Sequence, residues 1–232
     1  MNVLAFDTSS AVLSVTLLID AEAGTETAAR PRALHTVRDT GLNHAEHLAP
    51  AVSTLLSDGG IPVSDLDLVA CADGPGSFTG LRIGMATAKG FAAARGLPVR
   101  AVPTLDIWGE LYRYWPGIVV PAIDARKGRF YAAAYTGGRR LTADLDEAAA
   151  SIVARARQLG EADARDILVC GPDAGAFARA AEDGVLTVLP ATDLIPSYAL
   201  ARLGLLQYAR DGETPSSAGP TYVRKSDAEL GR

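Results

Sequence analysis

Three places in this chain carry residues whose types and spacing can do chemistry. The richest is Gly74-Pro75-Gly76-Ser77-Phe78-Thr79-Gly80-Leu81-Arg82-Ile83-Gly84. The apolar run Leu66–Cys71 before it reads as a buried strand, and Leu81, Met85, Ala88 and Ala92 after it fall at helical spacing. The glycines therefore stand where a strand becomes a helix. Gly74, Gly76 and Gly80 allow positive φ or close backbone approach, and Ser77 or Thr79 can cap the helix. Bare N–H groups at such a helix start attract anions, so one reading is a phosphate cradle. The other is a tight turn that needs glycine only to fit. Neither generic phosphate motif is met. Leu81 stands where a P-loop has Lys after its last Gly, and Thr79 stands where G-x-G-x-x-G has its third Gly.

The second place is Asp7-Thr8-Ser9-Ser10. Residues 2–7 form an apolar run, and a second strand covers about Val12 to Ile19. The short polar link makes the pair an antiparallel hairpin, with Asp7 at the end of a core strand. A carboxylate there can face a phosphate or a metal, as at other strand ends of α/β sheets, or it can close the hairpin as an Asx turn. The third place is His44 and His47, three apart at the start of a helix. The H-E-x-x-H pattern is absent and His35 is the one further histidine, so no metal site is expected. Asn43 as a helix cap is the structural alternative. Cys71 and Cys170 sit in apolar runs and are expected to be buried thiols.

The elements that must hold these groups alternate between strand and helix. A strand at 33–38, a helix from Asn43 to about Ser57, the strand 66–71, the helix to Arg95 and a short strand Val99 to Val102 fill the first half. Gly96 and Pro98 end the long helix. Gly84, Ala88 and Ala92 at four-residue steps make a flat strip suited to packing on another helix, within the chain or on another subunit. Tyr114-Trp115-Pro116-Gly117 marks a break. The second half then repeats the opening order. Strand 118–123 ends in Asp124, the turn Ala125-Arg126-Lys127-Gly128 leads to a strand from Arg129 to Tyr135, and a helix covers 143–158. Strand 167–170 meets Gly171-Pro172-Asp173, an echo of the first glycine turn, and a final helix spans 197–210. The expected divisions are 1–113, 114–214 and a polar tail, 215–232.

The 232 residues suffice for a large core, and 48% hydrophobic with 21% charged residues is ordinary globular composition. A net charge of −5 argues against a free-standing nucleic-acid binder, since phosphate contacts need a basic footprint. It leaves room for RNA contact within a complex. The N-terminus lacks a signal-peptide pattern and no apolar run is long enough to span a membrane, so a cytoplasmic protein is expected.

Phe6-Asp7-Thr8-Ser9, His44-x-Glu46-x-Leu48-x-Pro50, the 74–84 glycine stretch, Asp124-Ala125-Arg126-Lys127-Gly128 and Pro220-x-Tyr222-x-Arg224 together closely resemble the TsaB family, also called YeaZ. The likeness runs in order over nearly the whole chain. Two hairpin-led α/β halves, each with an Asp at the end of its first strand, have the layout of the actin-like ATPase superfamily. The resemblance therefore implies an α/β, ribonuclease H-like fold of two tandem subdomains, each a mixed sheet flanked by helices.

It also implies a role in synthesis of threonylcarbamoyladenosine beside the anticodon of tRNAs that read ANN codons. There the chain would be a non-catalytic scaffold for a TsaD-like transferase, with a TsaE-like ATPase. It would form a homodimer when alone and meet tRNA only through the complex. The family's dimer surface maps onto the helix after Asn43 and the helix from Leu81, which suggests Glu46, Leu48, Leu81, Gly84, Met85, Ala88 and Ala92 as interface residues. Asp7, Thr8, Ser9, Gly74, Gly76, Ser77, Thr79 and Gly80 become a vestigial phosphate turn, with no catalytic residue, no metal and no required cofactor. TsaD-type transferases carry H-x-x-x-H metal ligands, and His44-x-x-His47 departs from that pattern. The alternative is an actin-like ATPase or phosphotransferase that binds Mg-ATP, or ATP or ADP weakly, through Asp7 and Asp124. The missing zinc-protease patterns argue against a glycoprotease-like activity.

Overall fold

The structure is a computed structural model that describes residues 1–23, 31–159, 167–184, 186–189, 195–221 and 223. The chain forms two compact units. The first holds residues 1–107 and 195–220, and the second holds the described part of 108–194 with Thr221 and Val223.

In the first unit, β1 (Val3–Asp7), β2 (Val12–Ile19) and β3 (Arg32–Asp39) form an antiparallel meander. Then β4 (Leu68–Gly74) pairs parallel with β1, and β5 (Val99–Pro103) pairs parallel with β4, giving the order β3-β2-β1-β4-β5. Side chains alternate across the sheet. Leu4, Phe6, Leu13, Val15, Leu17, Val69 and Cys71 share a core with α1 (His44–Gly59) and α2 (Phe78–Arg95). The opposite face carries Ser14, Thr16 and Ala70, and it receives α6 (Pro196–Asp211). The chain leaves this unit within α3 (Thr104–Leu111).

The return of α6 differs from the expected division at 113 and 214, because its sequence suits the first sheet. The Ser197 hydroxyl lies 2.6 Å from Ser14 Oγ and 2.7 Å from Thr16 Oγ1, and all three residues are fully buried. Buried hydroxyls demand partners, so this cluster fixes where the helix starts. Further along, Gly204 lets α6 come so near β4 that a Cβ there would sit 2.7 Å from Ala70 Cβ. After α6 the chain runs along β5, the edge strand. Thr214 N–H donates to the Val99 carbonyl at 2.8 Å, Ala101 N–H donates to Thr214 Oγ1 at 2.9 Å, and Lys89 Nζ donates to the Ala218 carbonyl at 2.5 Å. This segment covers an edge that would otherwise expose unpaired backbone. Tyr222 and Arg224, expected to matter in the tail, lie outside the described residues.

The second unit repeats the plan. β6 (Ile118–Asp124) turns into antiparallel β7 (Phe130–Ala132), and β11 (Ile167–Cys170) pairs parallel with β6. The small strands β8 (Tyr135–Thr136), β9 (Arg139–Arg140), β10 (Leu145–Glu147) and β12 (Thr187–Val188) extend the sheet. α4 (Ala149–Leu159) and α5 (Ala174–Ala181) cover it, with Phe130 edge-on to Phe177 at 5.1 Å. Residues 143–148 were expected to begin a helix. They instead enter β10, whose Asp146 carboxylate binds Arg129 at 2.8 Å and ties that segment to the β7 side. Each unit is thus a hairpin-led mixed sheet flanked by helices, the ribonuclease H-like plan of actin-like ATPases. Among the described residues no helix is long and apolar enough to cross a membrane.

Gly204→Val should force α6 away from Ala70 and lower unfolding free energy by about 1–3 kcal/mol, the usual range for overpacking, in a urea titration.

Candidate functional site

In the first unit the chemistry-bearing residues of the hairpin and the glycine stretch meet. Asp7 closes β1 and its Oδ1 accepts the Ser9 N–H at 2.8 Å, which is an Asx turn. The N-terminus of α2 lies directly on this turn. Ser77 N–H donates to the Ser9 carbonyl at 2.7 Å, and the Thr8 hydroxyl donates to the Gly80 carbonyl at 2.8 Å. Ser77 caps the helix by accepting the Gly80 N–H at 3.2 Å. Thr79, the other expected cap, is exposed.

The glycines have a specific purpose here. A Cβ on Gly76 would stand 2.5 Å from the Ser9 carbonyl oxygen, one on Gly84 would stand 2.5 Å from Thr8 Oγ1, and one on Gly80 would overlap the Thr8 carbonyl outright. Gly74 has φ 120°, a region open to glycine, and the Gly74–Pro75 peptide is cis. At Gly76 and Gly80 the place of a side chain is taken by the Ser9 and Thr8 carbonyl oxygens, and at Gly84 by the Thr8 hydroxyl. Carbonyl oxygens are the wrong partners for an anion, and Ser77 N–H and Gly80 N–H already have acceptors. The residues do not fit a nucleotide phosphate at the glycine stretch.

Asp7 fits one no better. It is 1% exposed, and burial pushes its pKa above the ordinary 3.8, partly offset by the Ser9 hydrogen bonds. Its Oδ1 is held by the Ser9 N–H, and a side chain this buried presents almost no oxygen surface to the cation that a nucleotide brings. His44, also buried, pins the turn from the other side. Its Nε2 donates to the Ser10 carbonyl at 2.8 Å, and its Nδ1 lies 3.0 Å from Thr40 Oγ1. With both ring nitrogens engaged it has no lone pair directed at a metal. His47 lies at the surface, its Nδ1 3.4 Å from Arg38 Nη1, and His35 is on exposed β3. A TsaD-type metal does not fit these residues. Asn43 precedes α1 but makes no side-chain cap.

The expected interface strip needs correction. Leu48, Leu81, Met85 and Ala88 are core residues of this unit, Gly84 is buried against Thr8, and Ala92 is half-buried on the same core. The period that made them a strip is the period of the helix face turned toward the sheet. Glu46 is exposed in the first turn of α1. The outward line of α2 is Phe78, Arg82, Ala86 and Gly90, two residues out of step with the expected one. Arg82 stacks on exposed Phe78 at 3.8 Å from the ring centroid. A Cβ on Gly90 would meet open space. Between α1 and α2 runs a groove of about 600 Å³ lined by residues including Ala49, Ser53, Ile61, Val63, Thr87 and Phe91. The helical period of α2 sets Leu81, Met85 and Ala88 on one face, and contact with the sheet makes it the inner one.

The second unit has its own version of the turn. Asp124 Oδ1 accepts Arg126 N–H at 2.8 Å, and a Cβ on Gly171 would sit 2.8 Å from the Ala122 carbonyl. Asp173 Oδ2 accepts the Asp124 N–H at 2.8 Å. Burial raises the pKa of Asp173. Cys71 and Cys170 are buried, and burial pushes the Cys71 thiol up to about 12, so neither is a nucleophile.

The chain is similar to known proteins in sequence and in fold. A family profile described as "TsaD: tRNA N6-adenosine threonylcarbamoyltransferase" matches residues 38–195. The tRNA threonylcarbamoyladenosine biosynthesis protein TsaB of Bacillus subtilis is 28% identical over 234 residues, 99% of this chain and 96% of that protein. Its Escherichia coli namesake is 34% identical over 137 residues, 58% of this chain and 55% of that one. Among solved structures, YeaZ from Pseudomonas aeruginosa superposes with a TM-score of 0.76 at 30% identity, covering 96% of this chain and 99% of the other.

Two stability outcomes follow from the packed turn. Gly80→Ala should destabilise the fold by more than about 2 kcal/mol through collision with backbone, whereas Gly90→Ala should stabilise it by about 0.5–1 kcal/mol through helix propensity. Equilibrium urea unfolding of both variants checks the contrast. The raised pKa of Asp7 means the fold binds its proton more tightly than the unfolded chain does, so stability falls as pH rises from 3.8 toward the folded value. Asp7→Asn keeps the acceptor oxygen and lacks the proton. Its advantage over the wild type should therefore be small near pH 4 and grow as pH rises, read from thermal unfolding across pH.

Proposed function

The chain belongs to the TsaB/YeaZ proteins of the TsaD family, and from that premise we propose that it is a non-catalytic partner subunit in tRNA threonylcarbamoyladenosine synthesis. It pairs with a TsaD-type transferase, joined by a TsaE-type ATPase, to place threonylcarbamoyl on N6 of the adenosine beside the anticodon in tRNAs that read ANN codons. In the absence of that partner it pairs with a second copy of itself. It acts in the cytoplasm and requires no cofactor of its own.

The observation that carries this reading is the packed turn. Stabilising a leaving phosphate needs preorganised donors or a metal aimed at developing charge. Here the Thr8 and Ser9 carbonyls take the place of a side chain at Gly80 and Gly76, and Asp7 is buried with a raised pKa. What the same elements offer instead is a surface. α1 and α2, held rigid by the turn, present Glu46, the Phe78–Arg82 stack, Ala86, Gly90 and the groove between the helices. Exposed arginine and aromatic side chains are the kind of groups that anchor protein interfaces. Small residues at Ala86 and Gly90 let a partner helix approach closely. The surface is the neighbour of the expected strip, displaced around α2 to its solvent side.

Ala86→Arg with Gly90→Arg should abolish co-elution with the TsaD-type subunit and tRNA modification in the reconstituted system, with the unfolding midpoint not lowered. Asp7→Asn should retain modification. Loss of modification in Asp7→Asn with the complex intact would instead mean a working nucleotide site. Normal complex formation by the arginine variant would place the interface elsewhere.

A further inference from the structure

The turn between β6 and β7 is built in a way that chain reversal alone does not require. Arg126, Lys127 and Gly128 lie consecutively in the left-handed region, with φ of 65°, 56° and 71°. Glycine, Asn and Asp are the residues that enter this region easily, yet two of the three positions carry long cationic side chains. Strain held by surrounding structure is a mark of positions kept for function. The holding contacts are present. Asp124 Oδ1 accepts Arg126 N–H at 2.8 Å, Ala125 N–H donates to the Arg129 carbonyl at 3.0 Å, and Arg129 N–H donates to the Arg126 carbonyl at 3.2 Å.

The charges at this turn are layered. Arg126 pairs with Asp124 at 3.3 Å, and its side chain is 85% exposed against 36% for the carboxylate. Arg129 pairs with Asp146 at 2.8 Å, and its side chain is 45% exposed against 20%. Lys127 is exposed. In both pairs the carboxylate is the inner member and the cation the outer one, so solvent meets positive charge. The wider distribution agrees. Among the described residues the first unit holds twelve carboxylates against eight Lys and Arg, and the second holds eight against nine. None of the exposed large apolar side chains lies in the turn. A protein interface would need an apolar centre, whereas a rigid cationic turn without one suits phosphate oxygens, which are met by charge and by bidentate guanidinium.

We propose that the Arg126–Lys127 turn contacts the phosphate backbone of RNA, with Arg129 behind it, so that this chain touches the tRNA substrate directly within the complex. The inference rests on the function proposed above, which supplies the tRNA. It goes beyond a role confined to the partner surface on α1 and α2. Both cations are exposed to solvent, where a phosphate can reach them.

The test is fluorescence anisotropy of a labelled, unmodified tRNA that reads ANN codons. It is titrated with the complex of the full chain and its TsaD-type and TsaE-type partners at several KCl concentrations. Arg126→Gln with Lys127→Gln should weaken tRNA binding several-fold at moderate salt. It should also make the dependence of log K on log salt shallower by roughly 1.4–1.8, as expected for two lost phosphate contacts. Arg155→Gln, at an exposed position of α4, is the control and should leave both unchanged. Co-elution with the partner should be unaffected in every variant. An unchanged affinity and salt slope in the double variant would overturn the proposal. So would equal loss in the Arg155 control, or loss of partner binding with no tRNA present, which would assign the turn to a protein contact. Modification of tRNA by the wild-type mixture tests the role proposed above, so the two readings fail separately.

Discussion

The seating of the α2 N-terminus on the Thr8–Ser9 turn is the constraint from which the first unit follows. Three glycines, Gly76, Gly80 and Gly84, stand where any side chain would strike Thr8 or Ser9. Ser77 N–H and the Thr8 hydroxyl bond across the contact, and His44 braces Ser10 from α1. This one junction joins the hairpin, the glycine stretch and both outer helices. It also decides the chemistry. The turn's polar groups are satisfied by its own chain, and the helices it fixes present a surface.

The same device appears in the second unit with a different outcome. Asp124 closes its hairpin through Arg126 N–H as Asp7 does through Ser9 N–H. Gly171 sits close against Ala122, as Gly76 sits against Ser9. The first hairpin turn is buried beneath α2, while the second projects into solvent with its cations outermost. Two copies of one structural idea thus serve packing in one unit and an exposed charged surface in the other.

The sequence disclosed most of the architecture and less of the site. Alternating apolar strands, Gly96 after α2 and the two Asp-ended first strands made both sheets readable in order. Asp7 as an Asx turn and Ser77 as a cap were among the readings its residues allowed. The destination of α6 was not legible, because nothing in local pattern says which sheet a helix joins. That is settled by Ser14, Thr16 and Ser197, residues about 180 positions apart that must satisfy one another when buried. The outward face of α2 is not legible in the sequence either, since small residues line both sides of that helix and only contact with the sheet distinguishes them. The left-handed Arg126 and Lys127 had no sequence signal, as neither residue type favours that conformation.

The central claim is that the first-unit turn holds no phosphate and that the chain works through its surfaces. Calorimetric titration of the isolated chain with Mg-ATP tests it most directly. The account predicts no binding heat up to millimolar nucleotide. Micromolar binding that disappears in Asp7→Ala would contradict it and make the turn a working nucleotide site.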